Sequence, residues 1–308
     1  MRVVFMGTPD FAVPSLRELA SRFEVVLVLT RPDAVRSRGK KLEPSPVKAA
    51  ALELDIPVME ATRITPEVMD RLHEAKADIF CVAAYGCILP DEVLHMAPLG
   101  IVNVHASLLP RWRGAAPIQR AILAGDERAG ISIMRIGHGV DTGAYCAQAS
   151  CSVAGKTADE LTAELAQLGA DLLCDTLPAL ADETAVWTEQ DESLVTHAQK
   201  ISKSEMRLDP HERALVNLRR VLASSDAAPA RCIAAGKPVR VMRAAAVDGD
   251  ASMCAAGELI CQSKRVYIGC SDGALEITSV KPDGKRQMDA SAWAAGLHGD
   301  GLTWEMLS

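Results

Sequence analysis

Residues 1–30 read MRVVFMGTPDFAVPSLRELASRFEVVLVLT, and this stretch decides the fold. A first apolar run, Val3 to Met6, ends at Gly7; helical periodicity follows from Pro14 to Arg22, and a second apolar run covers Val25 to Leu29. A strand, a glycine turn, a helix and a strand in this order predict a doubly wound, Rossmann-like α/β domain. The turn lacks Gly-x-Gly-x-x-Gly, so the dinucleotide fingerprint is absent.

Further apolar runs extend this pattern along the chain. Ile79 to Ala84 is continuous, as expected of a strand buried on both faces, and Gly130 to Met134 predicts another strand. Thr157 to Leu180 carries leucines at helical spacing and should pack on the sheet. Ligands of open α/β sheets bind at the carboxyl ends of the strands, so we expect a site near Tyr85, where the first of these runs ends.

Residues 100–114, GIVNVHASLLPRWRG, place two polar side chains inside a short apolar strand. Asn103 and His105 are two residues apart, so they share one face of that strand. An amide beside an imidazole suits a site where an oxyanion is stabilised and a proton is moved. A single His in a strand is more often a structural residue, so the pair alone does not decide between the two roles.

The same fifteen residues resemble the signature of the folate-dependent formyltransferases. That signature is Asn-x-His, then Ser-Leu-Leu-Pro, then a basic Arg-Trp-Arg-Gly turn, and all three parts are present between Asn103 and Gly114. Residues 6–14, MGTPDFAVP, are similar to the opening of the methionyl-tRNA formyltransferase branch of that family. The resemblance covers essentially the whole chain.

The resemblance implies a catalytic trio and a folate site. Asp141, in the glycine-flanked loop from Gly137 to Gly143, matches the family aspartate that joins Asn103 and His105. The co-substrate would be N10-formyltetrahydrofolate, with no metal. Its binding residues would be Tyr85, Gly86, Ile88, Leu89, Ser107, Leu108, Leu109 and Pro110. For Ile88 and Leu89, packing in the protein core explains the sequence as well as folate binding does.

Formyl transfer gives each member of this trio a role. An amine attacks the formyl carbon and negative charge develops on the formyl oxygen. Asn103 can donate a hydrogen bond to that oxygen, and His105 can donate another when it is protonated. Asp141 can favour the imidazolium and help to relay the proton that the amine loses. No Ser–His or Cys–His pairing in the motif calls for a covalent intermediate.

Two segments carry basic residues that the resemblance links to tRNA. Residues 30–48 are rich in Pro, Gly and cations, and Arg38, Lys40 and Lys41 match a family loop that inserts against the acceptor stem. The preceding Ala34 to Ser37 departs from the usual family sequence. Lys203 lies in a stretch similar to the family's interdomain Ala-x-Lys-Ile-Ser-Lys-x-Glu. Without the resemblance, a solvated surface is the commoner reading of such charges.

We expect three segments along the chain: a catalytic domain at 1–188, a linker at 189–206 and a C-terminal tRNA-binding domain at 207–308. After a predicted helix from His211 to Ala223, short apolar runs are separated by turn residues, which is typical of a small β-barrel. The family carries an oligonucleotide-binding (OB)-like barrel here. Residues 222–229 depart from the family's aromatic and proline-rich version.

The composition and the charge distribution indicate what the chain can bind and where in the cell it is expected. The net charge is −7, yet from Lys200 onward 15 basic residues exceed 13 acidic ones, which leaves −9 for the rest of the chain. The C-terminal part can therefore face a polyanion, whereas the rest of the chain would repel one except locally. The nine cysteines are scattered without zinc spacing, the start lacks signal-peptide features, and no apolar run could cross a bilayer. We expect a cytoplasmic monomer without an obligate protein partner.

The prediction is formyl transfer from N10-formyltetrahydrofolate to the α-amino group of methionyl initiator tRNA. Two alternatives remain open. One is a formyltransferase of the same catalytic domain acting on a small amine, such as glycinamide ribonucleotide or an amino sugar. The other is a catalytically inactive tRNA-binding relative. The basic loop at residues 30–48 and the C-terminal domain argue against the first alternative. The intact trio argues against the second.

Overall fold

A computed structural model describes residues 1–35, 42–247, 254–297 and 301–307. The chain divides into two compact units. The first contains Met1–Pro117, Arg128–Ser152 and Thr162–Ala198. The second contains Ile118–Glu127, Val153–Leu161 and Gln199–Ser308.

The described residues form strands and helices with the following bounds. The strands are β1 Arg2–Gly7, β2 Glu24–Thr30, β3 Ala34–Val35, β4 Leu42–Glu43, β5 Val58–Glu60, β6 Ile79–Ala83, β7 Ile101–His105, β8 Arg113–Gly114, β9 Arg128–Arg135, β10 Tyr145–Ser152, β11 His197–Ala198, β12 Arg231–Ala234, β13 Lys237–Ala246, β14 Leu259–Gln262, β15 Arg265–Cys270, β16 Gly273–Pro282, β17 Met288–Asp289 and β18 Trp304–Met306. The α-helices are α1 Val13–Arg22, α2 Pro46–Glu53, α3 Pro66–Ala75, α4 Asp91–Leu94, α5 Pro117–Ala124, α6 Ala158–Ala181, α7 Ala214–Leu222 and α8 Ala290–Ala294.

The first unit is built on a sheet with strand order β10-β9-β7-β6-β1-β2-β5. The strands from β7 to β5 run parallel, whereas β9 and β10 are antiparallel additions at one side. Strands β1 and β6 are almost wholly buried, as their continuous apolar runs predict for strands covered on both faces. The predicted doubly wound α/β domain is confirmed.

The carboxyl ends of β1, β6 and β7 lie side by side because these strands are parallel neighbours. Met6 pairs with Val82, and Val82 pairs in turn with Asn103. A Cβ on Gly7 would stand 2.8 Å from the Ala12 Cβ and 3.0 Å from the Ala83 carbonyl oxygen, so glycine suits the tight packing where β1 ends. The sheet therefore brings Asn103 to the edge where the sequence predicts a ligand.

The second unit contains an antiparallel sheet with order β14-β15-β16-β13-β12-β18. The sheet curls until its edges meet. The Leu259 N–H donates to the Leu302 carbonyl at 2.9 Å, and the Trp304 N–H donates to the Gly257 carbonyl at 2.8 Å. The Trp304 side chain is buried in this core and its Nε1 donates to the Gly269 carbonyl. The predicted C-terminal barrel is confirmed as this curled antiparallel sheet.

No helix within the described ranges is both long enough and apolar enough to cross a membrane. The longest, α6, carries charged and polar residues along its length.

Candidate active site

Asn103 and His105 project from one face of β7, as their spacing predicts. Asn103 is half-buried and His105 is 5% exposed. Among the described residues the Asn103 amide has no hydrogen-bond partner, and the residue is only half-buried. A half-buried amide without a protein partner can bind water or a ligand. A ligand that covers it must supply a hydrogen bond, because a buried amide without any partner is costly.

The His105 ring lies between two oxygen acceptors. Its Nε2 is 3.0 Å from the Trp112 carbonyl oxygen, and its Nδ1 is 3.6 Å from Asp141 Oδ1. A carbonyl can only accept, so Nε2 carries a proton and donates it to Trp112. Nδ1 is then the ring nitrogen left to exchange a proton with a substrate, on the side of the Asp141 carboxylate.

Asp141 is held by the turn that follows β7. Its Oδ2 accepts from the Gly114 N–H at 2.9 Å, which leaves Oδ1 facing His105. Two glycines allow the approach. A Cβ on Gly143 would lie 2.1 Å from the Arg135 carbonyl oxygen, and Gly114 has φ +121° with the Ala198 carbonyl close behind it. The predicted His105 and Asp141 are thus brought together, and Asn103 lies on the same face of β7 as His105.

The predicted folate residues 107–110 form a tightly fastened turn. Ser107 Oγ donates to the Arg111 carbonyl at 2.6 Å. Ser132 Oγ, fully buried on β9, donates to the Ser107 carbonyl at 2.7 Å and accepts from the Leu109 N–H at 3.1 Å. Leu109 is buried, and its peptide bond to Pro110 is cis. The turn is therefore fixed by hydrogen bonds at buried atoms.

The second set of predicted folate residues divides into core and surface. The Tyr85 side chain is 2% exposed, its hydroxyl donates to the Ala61 carbonyl, and burial raises the pKa of its phenol well above the usual range. Leu89 is half-buried against the same core, whereas Ile88 is 91% exposed. Gly86 is exposed, with φ +73°, and its carbonyl accepts from Arg31 Nη1 at 2.9 Å. A ligand here can meet the exposed Ile88 side chain and the surface of Gly86, whereas the Tyr85 side chain is buried.

The predicted tRNA contacts are described only in part. Arg38, Lys40 and Lys41 lie outside the described residues. Lys203 is exposed in residues 199–205, which we term the basic loop segment. Arg120 fastens this segment by donating to the Gln199 and Lys200 carbonyls and to Glu205.

Two backbone groups of the site were not predicted as functional. The Trp112 carbonyl and the Gly114 N–H hold His105 and Asp141, and both lie within the Arg-Trp-Arg-Gly turn of the signature. That turn is therefore a signal that could have identified them. Ser132 had no such signal, because a serine in an apolar strand gives no indication of its partners.

Comparison with known proteins places this site in a family. The family described as "Formyl transferase" matches residues 1–177, and the one described as "Formyl transferase, C-terminal domain" matches residues 200–298. The chain belongs to the formyltransferase family. It is 45% identical over 293 residues to a methionyl-tRNA formyltransferase of Methylococcus capsulatus, covering 94% of this chain and 95% of that protein. A methionyl-tRNA formyltransferase of Neisseria meningitidis serogroup C is 43% identical over 304 residues, covering 97% and 98%.

Solved formyltransferases share the fold. The N-formyltransferase from Helicobacter canadensis, in complex with folinic acid and dTDP-3-aminofucose, superposes with a TM-score of 0.66 at 17% identity, covering 93% of this chain and 99% of that one. At that identity the likeness speaks for the fold alone. Membership of the formyltransferase family makes this chain an enzyme of one-carbon group transfer.

Proposed function

We propose that this formyltransferase transfers the formyl group of N10-formyltetrahydrofolate to the α-amino group of methionyl initiator tRNA for translation initiation. The observation that carries the proposal is the similarity to methionyl-tRNA formyltransferases at 43–45% identity across both matched domains.

The site geometry supports a division of roles among the trio. The Asn103 amide donates to the formyl oxygen as the amine attacks and negative charge develops there. His105, whose Nε2 donates to the Trp112 carbonyl, accepts the amine proton at Nδ1, on the side that faces Asp141 Oδ1. The same proton then passes to N10 as the carbon–nitrogen bond to the folate breaks. One proton leaves the amine and one reaches the departing nitrogen.

The residues near the carboxyl ends of β6 and β7 fit a folate co-substrate. Ile88 offers an exposed apolar surface, Gly86 an exposed position without a side chain, and the fastened turn 107–110 a rigid wall. Apolar walls with a few placed polar groups are typical of sites for flat organic ligands.

The tRNA part of the proposal depends on charge. The residues that would contact phosphates are Arg38, Lys40, Lys41 and Lys203. Lys203 lies in the basic loop segment, which Arg120 fastens through Glu205. We further propose that the chain acts as a monomer, because the trio comes from one chain. The nine cysteines are free thiols, which suits the reducing cytoplasm.

The proposal predicts activity towards one amine substrate. Purified protein with N10-formyltetrahydrofolate is offered methionyl initiator tRNA, methionyl elongator tRNA or glycinamide ribonucleotide in separate reactions, and formylated product is quantified. Formylation of the initiator tRNA alone is expected. His105→Ala should abolish most turnover, whereas His73→Ala, which changes an exposed histidine on α3, should leave turnover unchanged.

Each other result has a defined meaning. Turnover only with glycinamide ribonucleotide would refute the tRNA substrate while keeping the reaction type. Retention of tRNA on a filter without any turnover would instead favour an inactive tRNA-binding relative. Full activity of His105→Ala would refute the proposed catalytic role of His105, even if initiator tRNA proved to be the substrate.

A further inference from the structure

A buried glutamine outside the signature motifs holds the loop that carries Asp141. Gln190 is 9% exposed, and its Nε2 donates to the Asp141 carbonyl at 2.9 Å and to the Gly143 carbonyl at 2.7 Å. One amide group therefore fastens both ends of the Asp141–Gly143 turn. The turn needs such support, because Asp141 has φ +53°, a conformation that residues with a side chain seldom adopt.

Gln190 is itself fixed by an arginine of the signature turn. Arg113 is 5% exposed, and its Nε donates to Gln190 Oε1 at 2.8 Å. The two terminal nitrogens of Arg113 donate to the carboxylate oxygens of Glu192, at 2.8 and 3.3 Å. Because Arg113 can only donate, Gln190 must present its oxygen to it and its NH₂ to the loop. The orientation of Gln190 is thus determined.

The same segment also holds the turn that carries the His105 partner. The Trp112 N–H donates to Thr196 Oγ1 at 2.9 Å, and the Arg113 N–H donates to the Thr196 carbonyl at 3.0 Å. Strand β11 then pairs in parallel with β8, with His197 opposite Arg113. Residues 190–198, within the stretch that the sequence predicts as a linker, are in this way hydrogen-bonded behind both acceptors of the His105 ring.

We propose that Gln190 is a positioning residue for formyl transfer, which fixes the Asp141 carboxylate against His105 by clamping the Asp141–Gly143 turn. Both hydrogen bonds that the Gln190 NH₂ group donates go to the loop. It acts through Asp141, whose Oδ2 is held by Gly114 and whose Oδ1 must stay on the Nδ1 side of the ring. The role of the carboxylate in the reaction belongs to the proposed function; the clamp itself is a property of the loop.

Loss of the clamp should lower the catalytic rate more than substrate affinity. Gln190→Met keeps a similar side-chain length but removes both donors and the acceptor for Arg113. We expect kcat to fall about 10- to 100-fold, as for other displaced or unsupported active-site groups, with KM for both co-substrates within about threefold of wild type. Gln190→Glu keeps an acceptor for Arg113, loses both donors and turns a carboxylate oxygen towards the two loop carbonyls, so it also breaks the clamp if the methionine variant folds poorly.

A double-mutant cycle separates positioning from a structural effect. In an Asp141→Asn background, Gln190→Met should cost less than about twofold in kcat, because the group that it positions is already disabled. An undiminished loss in that background would overturn the proposal, and so would full activity of both Gln190 variants. The matched control is Gln167→Met, which changes an exposed glutamine on α6 and should leave kcat unchanged.

Hydrogen–deuterium exchange tests the clamp without any substrate. Peptides covering residues 137–144 should exchange faster in Gln190→Met than in wild type or Gln167→Met, while peptides from β1 and β6 exchange at the wild-type rate. Unchanged exchange over 137–144 would refute the clamp. If wild type formylated no methionyl-tRNA, the proposed function would fail, and the exchange result would still decide whether Gln190 holds this loop.

Discussion

Two loops of this formyltransferase are fastened by side chains, and by chemically different means. In the first unit, the turn 107–110 is held through Ser132, a neutral hydroxyl that is fully buried. In the second unit, the basic loop segment 199–205 is held through Arg120 and Glu205, an ion pair at 2.7 Å with side-chain exposures of 18% and 40%. One fastening is buried and uncharged, and the other is partly exposed and charged.

The difference shows that burial determines how much a polar contact contributes to the free energy of unfolding. A buried group that loses its partner keeps the full cost of desolvation, whereas an exposed ion is rehydrated and its pairing is screened. Substitutions at the buried turn should therefore change activity or stability at every pH. Substitutions at the basic loop segment should have small effects that depend on pH. Asn103 adds a third case, a half-buried polar group without a protein partner.

The largest effect should follow from Asn103→Ala. The Asn103 amide makes no hydrogen bond among the described residues, so its removal leaves no protein group unpaired and should not lower the unfolding temperature. We expect kcat for formyl transfer to fall about 10²- to 10³-fold, the usual loss for one oxyanion donor. Steady-state kinetics and a thermal melt measure the two quantities on the same sample.

Asn103→Asp sharpens this test. A carboxylate of the same shape cannot donate and would repel the developing negative charge, so its activity should be no higher than that of the alanine variant. Activity of Asn103→Asp close to wild type would show that the side chain is not an oxyanion donor. A large loss of thermal stability in Asn103→Ala would show instead that the amide has a structural role.

The sequence alone identifies the parts of this fold that local patterns determine. The apolar runs at Val3–Met6, Val25–Leu29 and Ile79–Ala84 correspond to β1, β2 and β6, since a strand buried on both faces must be apolar throughout. The predicted helix at 157–180 corresponds to α6 at Ala158–Ala181. Asn103 and His105 share a face of β7 because alternation is a local property of a strand.

Other features carry no local signal. Strand β10 at Tyr145–Ser152 was missed because its residues are mostly small and only half-buried, without an apolar run. The contacts of Gln190 span about fifty and eighty positions of the chain, and only the folded topology brings those positions together.

Ser132→Ala should have an intermediate effect, on stability. It leaves the Ser107 carbonyl and the Leu109 N–H without their partner in a buried place, and it removes one of the two acceptors of Gln148 Nε2. The unfolding free energy should therefore fall by about 1–3 kcal/mol. Urea unfolding followed by fluorescence and circular dichroism measures the change, read from the transition of the first unit because two units need not unfold together.

The chain offers a matched control for this substitution. Ser15, on α1, is also fully buried, but its hydroxyl has no hydrogen-bond partner among the described residues. Ser15→Ala should therefore be neutral or slightly stabilising, since it removes a polar atom that gains nothing from burial. An equal loss in both variants would indicate that packing, and not hydrogen bonding, fastens the turn 107–110.

The smallest effect should come from Glu205→Gln and should depend on pH. The hydrogen bond from Arg120, followed by that from the Ser202 N–H, lowers the pKa of Glu205 from 4.5 to about 2. A lowered folded-state pKa gives stability that is present above the unfolded value near 4.5 and is lost as the pH falls towards 2. Glutamine has a single acceptor oxygen, so a glutamine that still accepts from the Ser202 N–H loses both the charge and the hydrogen bond from Arg120.

We expect Glu205→Gln to lower the unfolding free energy by roughly 0.5 kcal/mol at pH 7, a figure kept small because solvent screens this partly exposed pair. The deficit should shrink as the pH falls below about 4.5, because wild type loses the same contribution there. Urea midpoints at pH 7, 5 and 3.5 measure it, with Glu189→Gln, an exposed glutamate without an ion pair among the described residues, as control. A deficit that stays constant with pH would mean that the ionised carboxylate does not fasten the basic loop segment. The turn 107–110 and the basic loop segment would then differ in burial but not in the use of charge.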